Sequence, residues 1–342
     1  MRALFDLVHP ADALFFCHAI NRLRASGAEI RIVSRHKDVL VPLLDESRLE
    51  HMPITRAATG RWQLARELLE RDARLFKVVR DFRPHVMVGF GGVAIAHIGT
   101  LTGIPSIAFY DTEHATLQTR LTLPFISEWH VPAGWTGREA KGRTFRFPGS
   151  KAAAYLHPDH FKPSPDAARA AGWDPSRDNF LVRTVEWRAT HDSGRDGLSV
   201  DQLREIVGFL GERGKVHISA EGNLPDDMEP LRYRGSAVQY HHLLSHCRLQ
   251  CGESITVASE AVALGVPVLL QIDREYCYIR QQEDAGLIDR LHPGDCVKEA
   301  LACVLGRDQE DYRQRSRAFM TASGDLNAYI VDQINRLGGA PR

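Results

Sequence analysis

The sequence has no excess charge and no long apolar run, and each absence excludes a class of function. Lysine and arginine together number 43, as do aspartate and glutamate, so no overall field attracts nucleic acid or an anionic membrane. No apolar run approaches the roughly 20 residues that a transmembrane helix needs. We therefore expect no nucleic-acid partner and no transmembrane segment, and any anion site must be local.

Paired cysteines are also missing. The six cysteines show no CxxC spacing and lie at Cys17, Cys247, Cys251, Cys277, Cys296 and Cys303. This usage is typical of reduced thiols and not of a disulfide framework or a zinc site. Met1 leads directly into a strand-like segment that contains Asp6, so we expect no signal peptide and a cytoplasmic protein.

Several familiar catalytic signatures do not occur. The sixteen histidines form no HExxH or HxH motif, so no metal site is expected. No GxSxG elbow is present, which argues against an acyl-transfer hydrolase. The glycine turn at 89–92 lets a ligand approach the backbone at Gly91, but it lacks the GxGxxG spacing and the P-loop ending. No cofactor is predicted.

Short β-rich runs alternate with helical patterns along the chain, which indicates parallel sheets with crossover helices. The predicted strands are 3–9, 29–34, 85–90, 106–110, 128–131, 179–183, 215–219 and 237–240. The predicted helices include 61–82, 201–213 and a helical tail at 309–337.

A chain of 342 residues is too long for one typical core. The periodicity stops near 148 and restarts after a proline-containing stretch that ends at 165. We therefore predict an α/β protein with two Rossmann-like domains, residues 1–155 and 156–342, that face each other across a cleft. The C-terminal helix is expected to cross back to the first domain.

Residues 249–270 have the pattern of a strand, a glycine turn, a helix and a second apolar strand. The turn at Gly252 would aim backbone N–H groups at an anion, and Ser254 and Thr256 begin the helix. Glu260 follows Thr256 on one helix face. A phosphate at the helix start, with a hydroxyl-bearing group beside it, describes a nucleoside diphosphate. The alternative is an ordinary βαβ connection whose glycine only closes a turn.

A second cluster follows the predicted strand 106–110. Asp111, Glu113 and His114 place two carboxylates and an imidazole at the carboxyl end of this strand. Any of the three is a candidate for proton transfer. The alternative is a helix cap beside solvated side chains.

His9 ends the first predicted strand and is expected to look into the cleft. It would act there as a binding residue or simply as a hydrogen-bonding loop residue. Asp12 is predicted to cap a helix whose buried face carries Phe16, Ile20 and Leu23.

Four short motifs occur in a characteristic order: Phe109-Tyr110-Asp111-Thr112-Glu113-His114-Ala115, Arg120-Leu121-Thr122-Leu123-Pro124, Phe147-Pro148-Gly149 with Lys151, and Ala154-Tyr155-Leu156. In this order they resemble an uncharacterised archaeal and bacterial family of similar length within the GT-B superfamily. That superfamily contains nucleotide-sugar glycosyltransferases and hydrolysing UDP-N-acetylglucosamine 2-epimerases. The resemblance spans most of the chain and implies that the first domain carries acceptor and catalytic groups, whereas the second binds a nucleotide sugar.

The resemblance also implies roles for individual residues. The superfamily's diphosphate site falls on Gly252, Ser254 and Thr256, and its ribose site falls on Glu260. Arg183 and Glu186 match positions where the family has polar residues facing the cleft, and Tyr240 lies where the base is often contacted. His9, Gly91 and Arg120 complete the predicted nucleotide- and substrate-binding residues.

One position departs from the superfamily. Relatives tend to have Gly-Gly-Thr where this chain has Gly252-Glu253-Ser254. The carboxylate of Glu253 would repel a phosphate unless it points away.

The resemblance leaves three functions open. A metal-independent glycosyltransferase acting on a nucleotide sugar, with UDP as the expected nucleotide, is preferred, and Asp111, Glu113 or His114 would deprotonate the acceptor. A 2-epimerase is disfavoured because its His-Arg-Arg-Glu-Asn run is replaced by the sequence that begins Thr184-Val185-Glu186. A non-catalytic nucleotide-sugar-binding subunit is favoured only by the altered turn. The acceptor is unspecified, and a homo-oligomer is compatible with the sequence.

Overall fold

A computed structural model describes residues 1–37, 39–58, 60–185 and 198–339, with only the backbone of Arg61. The chain divides into two compact units. The first comprises Met1–Tyr155 together with the segment from Ser323 onward, and the second is the continuous segment Leu156–Ala322.

The first unit is built on seven parallel strands in the order β3-β2-β1-β4-β5-β6-β7. The strands are β1 (Arg2–Leu7), β2 (Glu29–His36), β3 (Met52–Arg56), β4 (Val86–Phe90), β5 (Ser106–Phe109), β6 (Glu128–Pro132) and β7 (Thr144–Phe147). The helices are α1 (Pro10–Ala25), α2 (Leu40–Glu46), α3 (Arg61–Phe82), α4 (Val93–Thr102), α5 (Thr116–Thr122) and α6 (Ala153–Leu156), with α14 (Leu326–Gly338) from the end of the chain. Helix α1 packs against α2 and α14, whereas α4 packs against α3 and α5. The sheet is therefore covered by two groups of helices.

The final helix α14 is part of the first unit. It packs against α1, β1 and β4, and Leu326, Ile330 and Ile334 are fully buried. Polar contacts fix its register, because Asn327 Nδ2 donates to the Ala154 carbonyl at 2.7 Å and the Tyr329 hydroxyl lies 2.8 Å from His130 Nδ1.

The second unit contains five parallel strands in the order β12-β11-β10-β8-β9. The strands are β8 (Asp178–Thr184), β9 (Gly214–Ala220), β10 (Leu249–Gly252), β11 (Val268–Leu270) and β12 (Ile288–Arg290). The helices are α7 (Pro165–Ala170), α8 (Val200–Gly211), α9 (Ala237–Leu244), α10 (Ile255–Ala263), α11 (Cys277–Asp284), α12 (Val297–Leu305) and α13 (Gln309–Ala322). Leu181 enters one buried cluster while Phe180 and Val182 enter the other. Alternate residues of β8 are thus buried on opposite faces of the sheet.

The predicted α/β fold with two Rossmann-like parallel sheets is confirmed. Helix α3 has the predicted bounds, but the strand predicted at 237–240 is wrong. Those residues begin α9 because Ser236 and Gln239 form a capping box, in which each side chain accepts a backbone N–H of the other residue. The predicted helical tail is two helices, α13 and α14. None of the described helices is long and apolar enough to cross a membrane.

Candidate functional site

The carboxyl ends of the strands in each sheet bring most of the predicted residues to one edge. In the first sheet, β1 lies between β2 and β4, so the connections that follow β1 and β4 diverge there. In the second sheet, β8 lies between β9 and β10 in the same way. Such switch points open a crevice in doubly wound sheets and are the usual ligand sites. His9 and Gly91 follow the strands at the first switch point, and Arg183 and Gly252 lie in the carboxyl-terminal parts of those at the second.

The turn after β10 is built around a glycine that no other residue can replace without a clash. Gly252 has a φ of +145°, and a Cβ at this position would lie 2.0 Å from the carbonyl oxygen of Arg183. The next amide, at Glu253, donates to that same oxygen at 3.0 Å. The end of β10 therefore lies directly against the end of β8.

Helix α10 begins immediately after this turn. Ser254 is its N-cap, and its Oγ accepts the N–H of Val257 at 3.4 Å. The first turn of a helix carries N–H groups without intrahelical partners and the positive end of the helix dipole. This turn, which includes Thr256, can bind an anionic group such as a phosphate.

The carboxylate of Glu253 is directed onto backbone amides. Its Oε2 accepts from Val185 N at 3.1 Å, and its Oε1 accepts from Leu198 N at 2.5 Å. Burial raises the pKa of Glu253, and these two bonds oppose that shift. The Glu253 carboxylate therefore points towards the backbone of residues 185 and 198.

Arg183 and Tyr240 lie close to this turn. Arg183 Nη1 donates to Ser219 Oγ at 3.0 Å, and its Nη2 donates to Glu221. Burial raises the pKa of the Tyr240 hydroxyl, the Arg183 charge lowers it and the Glu260 charge raises it. The charges of Arg183 and Glu260 therefore both lie within electrostatic reach of the Tyr240 hydroxyl.

Glu260 lies in the second turn of α10 and is almost completely buried. Its Oε1 is 3.2 Å from His241 Nε2, and the two side chains are 5% and 7% exposed. The imidazole of His241 therefore helps to fix the orientation of the Glu260 carboxylate. Glu186, another predicted binding residue, lies outside the described residues.

In the first unit, the glycine turn after β4 is tightly enclosed. Gly91 has a φ of +75°, and a Cβ there would lie 1.8 Å from Gln118 Nε2. Gly92 has a φ of +58° and is the N-cap of α4. Gln118 Oε1 accepts the Tyr110 hydroxyl at 3.0 Å, which holds the amide over the turn. The buried Gly91 turn is therefore covered by an oriented side-chain amide.

The three residues of the predicted proton-transfer cluster differ in burial. Asp111 is buried, its Oδ2 lies 3.4 Å from Lys151 Nζ, and its Oδ1 accepts the Thr112 hydroxyl at 3.1 Å. Glu113 is half-buried and His114 is exposed. No role is predicted for Lys151 from the sequence, although it accompanies the Phe147-Pro148-Gly149 motif. It lies beside Asp111 because β7, which precedes it, pairs with β6, and β6 pairs with β5.

His9 and Asp12 form the start of α1. His9 is the N-cap and its Nδ1 accepts the Ala11 N–H at 3.2 Å, so the prediction that Asp12 is the N-cap is wrong. Asp12 is the third helical residue, and its Oδ2 accepts the N–H groups of Val8 and His9 at 3.0 and 2.9 Å. The two residues share the cap because a capping box pairs the N-cap with that position.

Both groups have displaced pKa values. His9 is exposed, yet surrounding protein atoms displace enough of its hydration to lower its pKa to about 4, assisted by the charges of Lys37 and Lys151. Burial raises the pKa of Asp12 to about 7, and the Lys151 charge opposes that shift. His9 is therefore neutral at neutral pH, whereas Asp12 titrates there.

Two remaining expectations concern Arg120 and metals. Arg120 lies in the last turn of α5 and is exposed. In the part of the chain that the structure describes, no three His, Cys, Asp or Glu side chains are grouped to hold a metal ion.

Comparisons with known proteins agree with this architecture. A family model described as a protein of unknown function (DUF354) matches residues 2–141. The uncharacterized protein MJ0665 of Methanocaldococcus jannaschii is 22% identical over 319 residues, which cover 87% of this chain and 89% of that protein.

Solved structures of nucleotide-sugar enzymes share the fold. UDP-GlcNAc 2-epimerase from Neisseria meningitidis, bound to UDP-GlcNAc, matches with a TM-score of 0.73 and 14% identity over 98% of this chain and 100% of that one. CalG4, the calicheamicin glycosyltransferase, matches with a TM-score of 0.60 and 14% identity over 99% of each chain. The resemblance to the GT-B superfamily is confirmed at the level of fold.

Proposed function

We propose that this chain is a metal-independent glycosyltransferase that moves a sugar from a nucleoside diphosphate sugar, with UDP as the expected nucleotide, to an acceptor hydroxyl. The observation that carries the proposal is the Gly252 turn at the switch point between β8 and β10. It combines a close backbone approach, the Ser254-capped start of α10 and a Glu253 carboxylate engaged by backbone amides.

The donor is assigned to the second unit. The diphosphate would accept hydrogen bonds from the N–H groups that begin α10, beside Ser254 and Thr256. Glu260, oriented by His241, would accept the ribose hydroxyls, and Tyr240 would contact the base. A helix terminus and Arg183 can stabilise the negative charge that develops on a departing diphosphate without a metal ion.

Acceptor activation is assigned to the first unit. Among Asp111, Glu113 and His114, the environment favours Asp111 as the base, because Lys151 and Thr112 fix its carboxylate at the carboxyl end of β5. A positioned base is worth about 10²–10⁴-fold in rate. His9, Gly91 and Arg120 are proposed to bind substrate at or near this edge.

A 2-epimerase is the second candidate. It is supported by the higher TM-score of the epimerase, 0.73 against 0.60 for CalG4. The absence of the His-Arg-Arg-Glu-Asn run after β8 counts against it. The bonds of Glu253 weaken the case for a non-catalytic binding subunit, because the altered turn was its only support.

The test is to incubate the protein with UDP, GDP, CDP and TDP sugars and a panel of acceptors, and to follow the sugar by NMR. A transferase releases the nucleoside diphosphate and forms a new glycoside. Inversion at the sugar C2 without an acceptor would instead identify an epimerase. Binding of a nucleotide sugar with neither reaction would favour the binding subunit, and binding of none would contradict all three assignments.

A further inference from the structure

Glu253 occupies a position where a carboxylate is poorly suited to the ligand proposed above. It lies between Gly252 and Ser254, in the turn that would bind a diphosphate. If its charge faced the phosphates, it would repel them. Its two oxygens instead accept backbone N–H groups from Val185 and Leu198.

These two amides lie thirteen residues apart in the chain. Val185 directly follows β8, and Leu198 lies two residues before α8. Both N–H groups donate to the same carboxylate, so the backbone at residue 198 lies close to the backbone at residue 185. Hydrogen bonds to an ionised acceptor are stronger than neutral ones, so one side chain holds both points.

The backbone of Glu253 holds β8 as well. Its N–H donates to the Arg183 carbonyl at 3.0 Å, and Gly252 is paired with Arg183 in the sheet. The end of β8 is therefore attached to the α10 turn by a main-chain bond at residue 183 and a side-chain bond at residue 185. Arg183, whose side chain bonds Ser219 and Glu221, is itself the residue at the first of these attachments.

We propose that Glu253 is a positioning residue whose carboxylate fixes Val185 and Leu198 to the turn that begins α10, and thereby keeps Arg183 and the first N–H groups of α10 in register for a nucleoside diphosphate. This inference rests on the proposed function. The Glu253 carboxylate serves the anion site indirectly, because it holds the backbone around that site.

The proposal and simple electrostatics predict opposite signs for one experiment. If the Glu253 charge repels phosphate, Glu253→Gln and Glu253→Gly raise the affinity for UDP. If Glu253 positions the site, Glu253→Gly lowers UDP affinity about tenfold, because two hydrogen bonds to a charged acceptor are lost. Glu253→Gln keeps one acceptor oxygen and should lose less. Calorimetric titration of UDP, in the full chain, measures both.

Hydrogen exchange reads the attachment without any ligand. Protection of the Val185 and Leu198 amides should fall about tenfold or more in Glu253→Gly and should be partly retained in Glu253→Gln. Glu221→Gln is the matched control, since it removes a carboxylate beside Arg183 that has no bond to either amide. It should leave the protection of both amides unchanged.

A purely structural role would lower the melting temperature of the Glu253 variants and reduce affinity only in proportion to the unfolded fraction. The proposal therefore requires lost affinity at a temperature where circular dichroism shows each variant folded, and Glu253→Gln supplies a conservative variant if Glu253→Gly does not fold. Unchanged or tighter UDP binding, or unchanged amide protection, overturns it. If the parent chain binds no nucleotide at all, the proposed function fails, and the exchange data still decide whether Glu253 holds the two amides.

Discussion

The ammonium nitrogen of Lys151 lies 3.4 Å from the Asp111 carboxylate and 4.4 Å from the centre of the Phe90 ring. The lysine side chain is 15% exposed and that of the aspartate 5%. A cation held over an aromatic face is restricted in position, so the carboxylate that it pairs with is restricted too. Asp111 is thereby held in a fixed position.

Replacing Asp111 with Asn should lower turnover by about 10²–10⁴-fold and leave UDP affinity nearly unchanged. The reason is that Asn keeps the shape of the side chain and loses its capacity to accept a proton. Steady-state kinetics with the substrate pair found by the panel gives the comparison. Glu113→Gln and His114→Asn are the matched variants, and near-normal turnover in Asp111→Asn with a loss in either of them would move the base to that residue.

Replacing Glu260 with Gln should weaken UDP binding about tenfold, because a hydrogen bond to a charged acceptor contributes about 1.5–3 kcal/mol. His241→Gln changes the partner of the carboxylate and keeps the carboxylate itself, so its effect on affinity should be smaller. Isothermal titration of both variants measures this. Equal affinity in the parent and in Glu260→Gln would remove Glu260 from the ribose site.

The imidazole of His9 should titrate at about pH 4 in the folded protein, which NMR of the ring protons measures. Replacing Lys37 or Lys151 with Gln should raise that pKa, since each charge disfavours imidazolium. Because the folded pKa lies below the ordinary value of 6.5, folding favours neutral His9. Stability is therefore lost as the pH falls from 6.5 towards 4. A ring that titrates near 6.5 in the parent would contradict this.

The titration of Asp12 should change stability in the opposite direction over nearly the same pH range, and Asp12→Asn removes that contribution. Burial raises the pKa of Asp12 from 3.8 to about 7, so folding favours its protonated form. The parent should lose stability relative to Asp12→Asn as the pH rises from 4 to 7. The amide oxygen of Asn can still accept the N–H groups of Val8 and His9, which preserves the cap. Urea unfolding at pH 4, 5.5 and 7 gives the comparison, and a constant difference would show that Asp12 does not titrate in this range.

Gly252→Ala should destabilise the protein by about 3 kcal/mol or more, because the added Cβ combines overpacking with left-handed strain. Gly103→Ala is the control. Gly103 has a φ of +70°, and a Cβ added there would have no atom within 4 Å. Its replacement should therefore lower the free energy of unfolding by only about 1–2 kcal/mol. Similar unfolding free energies for the two variants would show that the turn after β10 can relax.

The sequence predicts the elements that its own periodicity defines. Helix α3 is predicted with its observed bounds because 22 residues repeat the helical pattern over six turns. The error at 237–240 has the opposite cause, since four residues are too few to separate a strand from a helix start. The Ser236 and Gln239 capping box is visible in the sequence and would have corrected it.

The site is predicted less completely than the fold. The alternating pattern places Arg183, Gly252 and Ser254 at or just after the carboxyl ends of predicted strands. The strand order that puts them at a switch point is a finding of the structure. The pairing of Asp111 with Lys151 depends on the missed strand β7. The direction of the Glu253 carboxylate depends on Leu198, which lies 55 residues away in the chain. Contacts across such separations are set by tertiary structure and leave no local pattern.

Because α14 belongs to the first unit, the two units are completed at different stages of synthesis. Strands β1 to β7 are synthesised before the second unit, but Leu326, Ile330 and Ile334, which are fully buried in the same unit as those strands, are synthesised after it. The second unit is one continuous segment, Leu156–Ala322, and has all its parts before α14 is made. Because domains generally fold as units, the nascent chain can complete the second unit while the first still lacks its final helix.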